Sequence, residues 1–240
     1  KLDAIRAGLS DDGIALRDGG SGATAYAEAV FVYLACAIGR AADYWNTLTS
    51  WESGGEFVKN AFTMHALPIV WDYGENNPLS DGGGSWISAL GWIARVIDLL
   101  PANAPGHAFQ LDAARGTVPT ENQTVVSTDP PYYDNVPYSN LSDFFYIWMR
   151  VCLRDVFPAI FATRQTPKED ELVASHSLYA KIEDAMRHFT DGMTQALCQI
   201  HAKANDTVPV TIYYAFKQSD TGARGTASSG WESFLESVIN

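Results

Sequence analysis

The feature that most constrains the fold is a short apolar run that ends in Asp129-Pro130-Pro131-Tyr132. The run, residues 124–128, reads Thr-Val-Val-Ser-Thr, a composition typical of a buried strand. Such a strand delivers the residues after it to the carboxyl edge of a sheet, where open α/β sheets place ligands. The prolines fix φ and remove backbone donors, which makes the corner rigid. The sequence therefore predicts a pocket wall that accepts hydrogen bonds and stacks a planar ring.

Taken alone, these four residues could form a rigid turn with no further role. The longer stretch 128–148 reads Thr-Asp-Pro-Pro-Tyr-Tyr-Asp-Asn-Val-Pro-Tyr-Ser-Asn-Leu-Ser-Asp-Phe-Phe-Tyr-Ile-Trp. It resembles the catalytic segment of adenine-specific DNA methyltransferases, which methylate the exocyclic amino group with S-adenosylmethionine. The resemblance is to the large branch of that family described as containing a zinc-ribbon-like portion. Four other stretches resemble the same branch, namely residues 66–78, 191–196, 211–219 and 230–234.

Hydrophobic periodicity gives a coarse map of the secondary structure. It predicts helices over residues 24–45, 55–65, 85–100, 141–156 and 178–202, and strands over residues 108–114, 124–128 and 208–216. Residues 72–84 are dense in turn formers and are predicted to be a loop. Helices alternating with strands in the later part of the chain indicate a parallel sheet with covering helices.

The resemblance implies an α/β fold, a partial Rossmann-like S-adenosylmethionine methyltransferase sheet with an added helical region. Residues 1–104 are expected to form a mainly helical lobe or insertion, and residues 105–240 the later part of the catalytic domain. The family's cofactor loop, Asp-Pro-Phe-x-Gly-x-Gly, is missing from the sequence, and the glycine cluster 82–84 has no strand before it. Because the chain also starts without Met, we expect it to be a piece of a longer polypeptide.

The resemblance assigns a role to each residue of the corner. The Asp129 carboxylate and the Pro130 main-chain carbonyl would each accept one hydrogen bond from the adenine amino group, while Pro131 keeps the turn rigid. Tyr132 would stack on the base after it leaves the double helix. These four residues are the predicted catalytic group. No general base is expected, because the amino group becomes acidic only after it is methylated.

Other residues receive roles in substrate or cofactor binding. Tyr133, Tyr138 and Lys217 are predicted to contact the substrate, although packing aromatics and a solvated strand end are the alternatives. Asp112 and Ala113 are expected near the adenine ring of S-adenosylmethionine.

Four further residues have no predicted contact with substrate or cofactor. Asp143 is interpreted as a helix cap more than a catalytic group. Trp71, Asp72 and Glu75 match the family pattern in a loop without an assigned role, and a surface turn is the alternative.

Charge and cysteine content limit the expected partners. The net charge of −12 opposes strong binding to duplex DNA, since such binding depends on Lys and Arg. The expected partner is DNA from which an adenine is flipped, and we expect this chain alone to bind it weakly. The remainder of the polypeptide or other modification-system subunits would then contribute to DNA binding. The basic candidates lie after the motif and are Arg150, Arg154, Arg164, Lys168 and Lys217.

No metal site is expected from the sequence. The three cysteines, Cys36, Cys152 and Cys198, are far apart and are expected to be buried packing residues. His65 and His107 have no ligand partner at usable spacing.

The sequence leaves three classes of function open. No apolar run approaches the ~20 residues needed to span a bilayer, and no signal peptide is evident, so a soluble cytoplasmic protein is expected. The leading hypothesis is an adenine DNA methyltransferase of a modification or host-defence system. The alternatives are a non-catalytic scaffold or interaction domain derived from a methyltransferase, and an amino-methyltransferase that acts on RNA or protein.

Overall fold

The structure, a computed structural model, describes residues 9–64, 66–101, 106, 108–116, 124–133, 136–174, 179, 181–215 and 229–239. Over these residues the fold is mixed α/β, with five α-helices, one 3-10 helix and two small sheets. The α/β prediction is confirmed at this level, while the Rossmann-like sheet stays a prediction. The chain divides into two compact units. The first comprises Lys1–Gly106 and Ser139–Thr166, and the second comprises His107–Tyr138 and Pro167–Asn240.

The first unit is mainly helical. A 3-10 helix, Leu16–Asp18, precedes α1, Ala23–Ala42. An antiparallel hairpin follows, with β1 at Ser50–Glu52 and β2 at Phe57–Lys59. The unit also contains α2, Trp86–Leu99, and most of α3, Tyr138–Leu153. Helix α2 begins where the Ser85 hydroxyl accepts a hydrogen bond from the Ser88 backbone N–H at 3.2 Å, a standard N-cap.

Small residues hold the helices of the first unit together. Ala37 and Ala41 of α1 are buried with Ala89 of α2, and larger side chains of α2 pack around them. Ala35 is buried in a second cluster, against Tyr146 and its neighbours. Because alanine has no side chain beyond Cβ, the helix backbones can approach closely at these positions.

Helix α1 also bears on the membrane prediction. Among the described residues, this helix alone is long and apolar enough to cross a bilayer by length and composition. The statement that no apolar run approaches that length is therefore corrected for α1. Of its apolar window 28% is buried within the chain, and the buried residues of the helix are all alanines.

The second unit carries the motif strand. Strand β3, Ser127–Thr128, pairs in parallel with β4, Thr211–Ile212, and these strands are accompanied by α4, Ile182–Lys203, and α5, Ser229–Ile239. The core of the unit is built from large side chains of α4, in particular Phe189 and Met193, which are fully buried. Burial of such side chains contributes roughly 1.5–3 kcal/mol each.

Four of the five predicted helices are confirmed over the described residues, namely 24–45, 85–100, 141–156 and 178–202. The helix predicted over residues 55–65 is wrong, because this region contains β2 and the turn before it. Gly54 and Gly55 disfavour a helix there, and Glu56 has a left-handed φ of 53° that closes the hairpin turn. The predicted loop over residues 72–84 is confirmed.

The predicted strands are shorter or absent. No strand forms over the described part of residues 108–114, where residues 113–115 make a turn instead. In the run 124–128 only Ser127–Thr128 is a strand, with Thr124 forming an isolated bridge to Ala204. Of residues 208–215, only Thr211–Ile212 is a strand. A strand exists only where a partner supplies ladder hydrogen bonds, and the pattern of one segment does not reveal its partner.

The burial predicted for the cysteines is also wrong. Cys36 and Cys198 are exposed, and Cys152 is half-buried. All three thiols are free. Each cysteine does lie on a helix, but on a side that the packing of its own unit leaves partly or fully uncovered.

Candidate functional site

The parallel ladder fixes the position of the proline corner. The Thr211 N–H donates to the Val126 carbonyl at 3.0 Å, and the Tyr213 N–H donates to the Thr128 carbonyl at 2.8 Å. The second bond anchors the last residue of β3, and Asp129 follows immediately. The corner therefore lies at the carboxyl end of a strand in a parallel pair, the place where such sheets present functional groups.

A hydrogen bond within the corner orients the Asp129 side chain. The Tyr132 hydroxyl donates to Asp129 Oδ1 at 2.8 Å. This bond, followed by desolvation of the phenol and the nearby Asp129 charge, raises the pKa of Tyr132 above its ordinary value. Asp129 is exposed and Tyr132 half-buried. The carboxylate is thus accessible from outside while its orientation is set by its neighbour.

The corner lines an open cavity of about 260 Å³ together with Tyr138. Asp129, Pro130, Pro131 and Tyr132 form one part of its lining, and half of the Tyr138 side chain is exposed. The structure therefore brings the four predicted catalytic residues and one predicted substrate residue to the same cavity. Two acceptors have no hydrogen-bond donor among the residues that the structure describes, namely Asp129 Oδ2 and the Pro130 carbonyl oxygen.

Aromatic side chains support the corner from behind. The Tyr132 and Tyr214 rings meet edge to face, with centroids 5.5 Å apart, and Tyr214 stacks on Phe234 at 4.1 Å. The Tyr214 hydroxyl also accepts a hydrogen bond from the Tyr133 N–H at 3.2 Å. Trp231 stacks on Phe234 at 5.8 Å and extends the cluster along α5.

Sequence reasoning gave none of these supporting residues a role. Tyr214 lies in the stretch 211–219, and Trp231 and Phe234 lie in the stretch 230–234, both of which carried the resemblance. Their aromatic content was the available signal. The sequence did not reveal that α5 packs against α4, which brings Trp231 and Phe234 beside Tyr214.

The structure places Tyr133 in the core of the second unit. Its side chain is only 7% exposed, and its ring meets Phe189 edge to face at 5.2 Å. The Tyr133 carbonyl accepts a hydrogen bond from the Ala174 N–H at 2.7 Å. Tyr133 does not line the cavity of the corner, and its ring belongs to the core cluster around Phe189.

Asp112 and Ala113 lie at a different place in the second unit. The Asp112 carboxylate accepts a hydrogen bond from the Ala114 N–H at 2.9 Å and lies 3.5 Å from the Arg115 guanidinium. Ala113 lines a separate cavity of about 420 Å³ beside the motif strand. The structure thus places this pair away from the Asp129 cavity.

Asp143 lies in the second turn of α3, Tyr138–Leu153, so its interpretation as a helix cap is wrong. Asp143 Oδ1 accepts hydrogen bonds from the Thr166 N–H and hydroxyl, both at 2.8 Å, and so anchors the end of a loop to α3. Lys217 lies outside the described residues, as do His65 and His107. Among the described residues no group of three or more His, Cys, Asp or Glu side chains is arranged to hold a metal ion.

No family model, curated protein or solved structure matches the chain. Function must therefore be judged from the geometry of the corner and from the motif resemblance.

Proposed function

We propose that this chain carries the target-base half of an S-adenosylmethionine-dependent methyltransferase that acts on the exocyclic amino group of adenine in DNA. The observation that supports this proposal is the pair of open acceptors in the corner, Asp129 Oδ2 and the Pro130 carbonyl, beside two tyrosine rings. An adenine amino group has two N–H donors on a flat ring. The corner offers two acceptors and aromatic surface in one cavity.

The corner's own chemistry follows from this arrangement. The lone pair of an aromatic amine is delocalised into the ring, so acceptors at its two N–H groups favour the tetrahedral nitrogen needed for attack. The Tyr132 hydroxyl holds Oδ1 and leaves Oδ2 for the substrate. Stacking of a base on an aromatic ring recovers about 1–3 kcal/mol of the cost of removing it from the duplex. A cavity of about 260 Å³ lies below the usual range for drug-sized ligands, which suits a single base.

The proposed methyl donor, S-adenosylmethionine, is supported by the motif resemblance. The cavity of about 420 Å³ beside β3 has the size and the apolar lining for a flat ring such as adenine. Its described lining has no carboxylate to bind ribose hydroxyls, and its one charged side chain, Lys203, repels a sulfonium. These residues do not fit the complete cofactor, whose remaining contacts would come from other parts of the polypeptide.

The test is transfer of a tritiated methyl group from S-adenosylmethionine to duplex DNA, single-stranded DNA, RNA and glutamine-containing protein at low salt. The variant Asp129→Asn should lower transfer to adenine by about a hundredfold or more, the loss expected when one preorganised electrostatic contact is removed. The matched control is Asp206→Asn, an exposed aspartate in the same unit that lies outside the cavity.

Other outcomes would decide against this proposal. Transfer to RNA or protein in preference to DNA would support methyltransferase activity but contradict DNA as the substrate. Absence of transfer to every substrate by the folded full-length polypeptide would favour a scaffold. Equal transfer by Asp129→Asn and Asp206→Asn would show that the corner is not the site.

A further inference from the structure

A second cavity lies wholly within the first unit and belongs to no site described so far. Its volume is about 260 Å³, and its lining includes three aromatic rings, two amides and one carboxylate. These six side chains are Tyr44, Trp45, Tyr73, Asn46, Asn76 and Glu75. Glu75 is one of the loop residues that the motif resemblance singled out without a role.

The floor of this cavity is fixed by a buried threonine. Thr49 is fully buried, and its hydroxyl lies 2.8 Å from the Gly74 carbonyl oxygen and 3.1 Å from that of Asn46, donating between them. The Gly74 N–H donates in return to the Thr49 carbonyl at 3.3 Å. The segment that carries Tyr73 and Glu75 is thereby tied to the end of α1, so the cavity is present without a ligand.

The rim is held in the same way. The Trp45 indole N–H donates to the Gly84 carbonyl at 2.8 Å, and the Asn76 amide donates to the Gly83 carbonyl at 3.1 Å. The indole of Trp45 also lies 6.3 Å from that of Trp86. These contacts fix the plane of the Trp45 ring. The Asn76 amide uses its nitrogen as the donor, so its side-chain oxygen stays available as an acceptor.

The chemistry of the lining points to a cation. The Glu75 carboxylate makes no hydrogen bond or ion pair with any residue that the structure describes. The Trp45 side chain is 37% exposed and the Tyr73 side chain 46% exposed, so aromatic surface is available beside that carboxylate. A guanidinium group satisfies both features, because it stacks on aromatic rings and donates planar hydrogen bonds to carboxylates.

Exposed residues beside the cavity indicate the kind of molecule to which the cationic group belongs. Ile69, Trp71 and Leu79 are almost fully exposed on the same polypeptide stretch, which offers apolar contact area next to the cavity lining. All charged residues of the stretch 69–81 are acidic, namely Asp72, Glu75 and Asp81, and Lys59 of the neighbouring hairpin is already paired with Glu52. Such a field repels phosphates and attracts a basic polypeptide.

We propose that this cavity binds an arginine side chain from a basic, partly apolar segment of a protein partner. The arginine would stack on Trp45 and Tyr73 and pair with Glu75, while apolar neighbours of the arginine would cover Trp71 and Ile69. This site is independent of the corner at Asp129 and of the function proposed for it. It gives the Trp71–Glu75 segment a role in recognising a partner.

The experiment is calorimetric titration of the full chain with a short acetylated and amidated peptide that carries arginine between two leucines. A second peptide has citrulline in place of arginine, which keeps the shape and removes the charge. We expect saturable binding of the arginine peptide and an affinity about tenfold lower for the citrulline peptide, from loss of the ion pair and the cation–π contact together.

Two matched variants locate the binding. Glu75→Gln should weaken binding of the arginine peptide about fivefold, the upper end for an exposed ion pair. Glu56→Gln changes the net charge of the unit equally but lies outside the cavity, and it should bind as the wild type does. Circular dichroism checks that both variants fold.

Four results would overturn this proposal. The arginine and citrulline peptides could bind equally, or Glu75→Gln could bind the peptide as tightly as the wild type. Glu56→Gln could also lose as much affinity as Glu75→Gln, which would mean attraction to overall charge only. Finally, concentration-dependent dimerisation in sedimentation that Trp71→Ala abolishes would show that a second copy of the chain covers this surface.

Discussion

Each unit has one cavity of about 260 Å³, and the two cavities contain the same kinds of chemical group. They differ in whether hydrogen bonds fix the carboxylate side chain or the backbone next to it. Both combine tyrosine rings with one accessible carboxylate. In the second unit the Tyr132 hydroxyl holds the Asp129 carboxylate itself. In the first unit Thr49 holds the backbone of the loop, and the Glu75 carboxylate has no described partner.

A fixed carboxylate suits catalysis, whereas a mobile carboxylate suits ion pairing with a flexible partner. A group that must favour one geometry of a reacting nitrogen gains from a fixed orientation, because reorganisation during the reaction is avoided. A group that only pairs with a flexible cationic side chain can adjust to its partner. The cores of the two units differ as well, with large aromatic side chains in the second unit and closely packed alanines in the first.

The largest effect is expected from removing the central core ring of the second unit, Phe189. Phe189→Ala deletes a fully buried ring that contacts Tyr133, and it should lower the free energy of unfolding by about 3–5 kcal/mol. Denaturant titration followed by circular dichroism measures the change. Tyr213→Ala, at a residue 62% exposed in the same unit, should cost about 1 kcal/mol or less. Equal losses for the two variants would contradict the central position of Phe189 in this core.

Adding volume to the alanine interface of the first unit tests how closely its helices pack. Ala37→Leu places a larger side chain where the helix interface is fully buried, and overpacking should cost about 1–3 kcal/mol. Ala27→Leu lies on the exposed side of the same helix and should change stability by about 0.5 kcal/mol or less. Thermal unfolding of both variants distinguishes them, and an unchanged Ala37→Leu would refute close helix packing.

A smaller loss is expected from Thr49→Val, which keeps the shape of the side chain and removes its hydroxyl. The Gly74 carbonyl then loses a donor, at a cost of about 1–2 kcal/mol. Affinity for the arginine peptide should fall as well, since the loop is less constrained. The exposed Thr211 serves as control, and Thr211→Val should leave both properties unchanged.

The smallest effect concerns the titration of Tyr132. Its pKa is raised in the folded chain, so its hydrogen bond to Asp129 is complete below the pKa of unfolded tyrosine, about 10, and the stabilisation is lost as pH rises through the folded value. The difference in phenolate absorbance between wild type and Tyr132→Phe isolates this residue. A midpoint at or below that of the urea-unfolded chain would contradict the hydrogen bond.

Helices were predictable from the sequence because their hydrogen bonds and apolar periodicity lie within one segment. Residues 24–45 and 85–100 show this clearly. The extent of a strand depends on its partner, and the partner of the motif strand is distant, which explains why only Ser127–Thr128 is a strand. Residues 55–65 were misread as a helix for a local reason, because Gly54, Gly55 and Glu56 close a hairpin with the neighbouring β1. The pairing of β3 with β4 joins residues that lie more than eighty positions apart in the chain.

The site was predictable where chemistry is local. Asp129, Pro130, Pro131 and Tyr132 are consecutive in sequence, so their presence at one corner was predictable, whereas the hydrogen bond from Tyr132 to Asp129 was not predicted. Tyr214 and Phe234 were not predictable as supports, because their stacking depends on where α5 packs. Tyr132 and Tyr133 are adjacent residues of the same type, so the sequence could not distinguish them. The fold places the Tyr133 ring in the core and the Tyr132 ring at the cavity.

The exposed thiols provide a way to observe the two units separately. Cys36 belongs to the first unit and Cys198 to the second, and both are accessible to thiol-reactive reagents. After Cys152→Ser, a donor dye and an acceptor dye at the two remaining cysteines would form an energy-transfer pair. Single-molecule traces of that pair would record whether DNA or a basic peptide changes the distance between the labels.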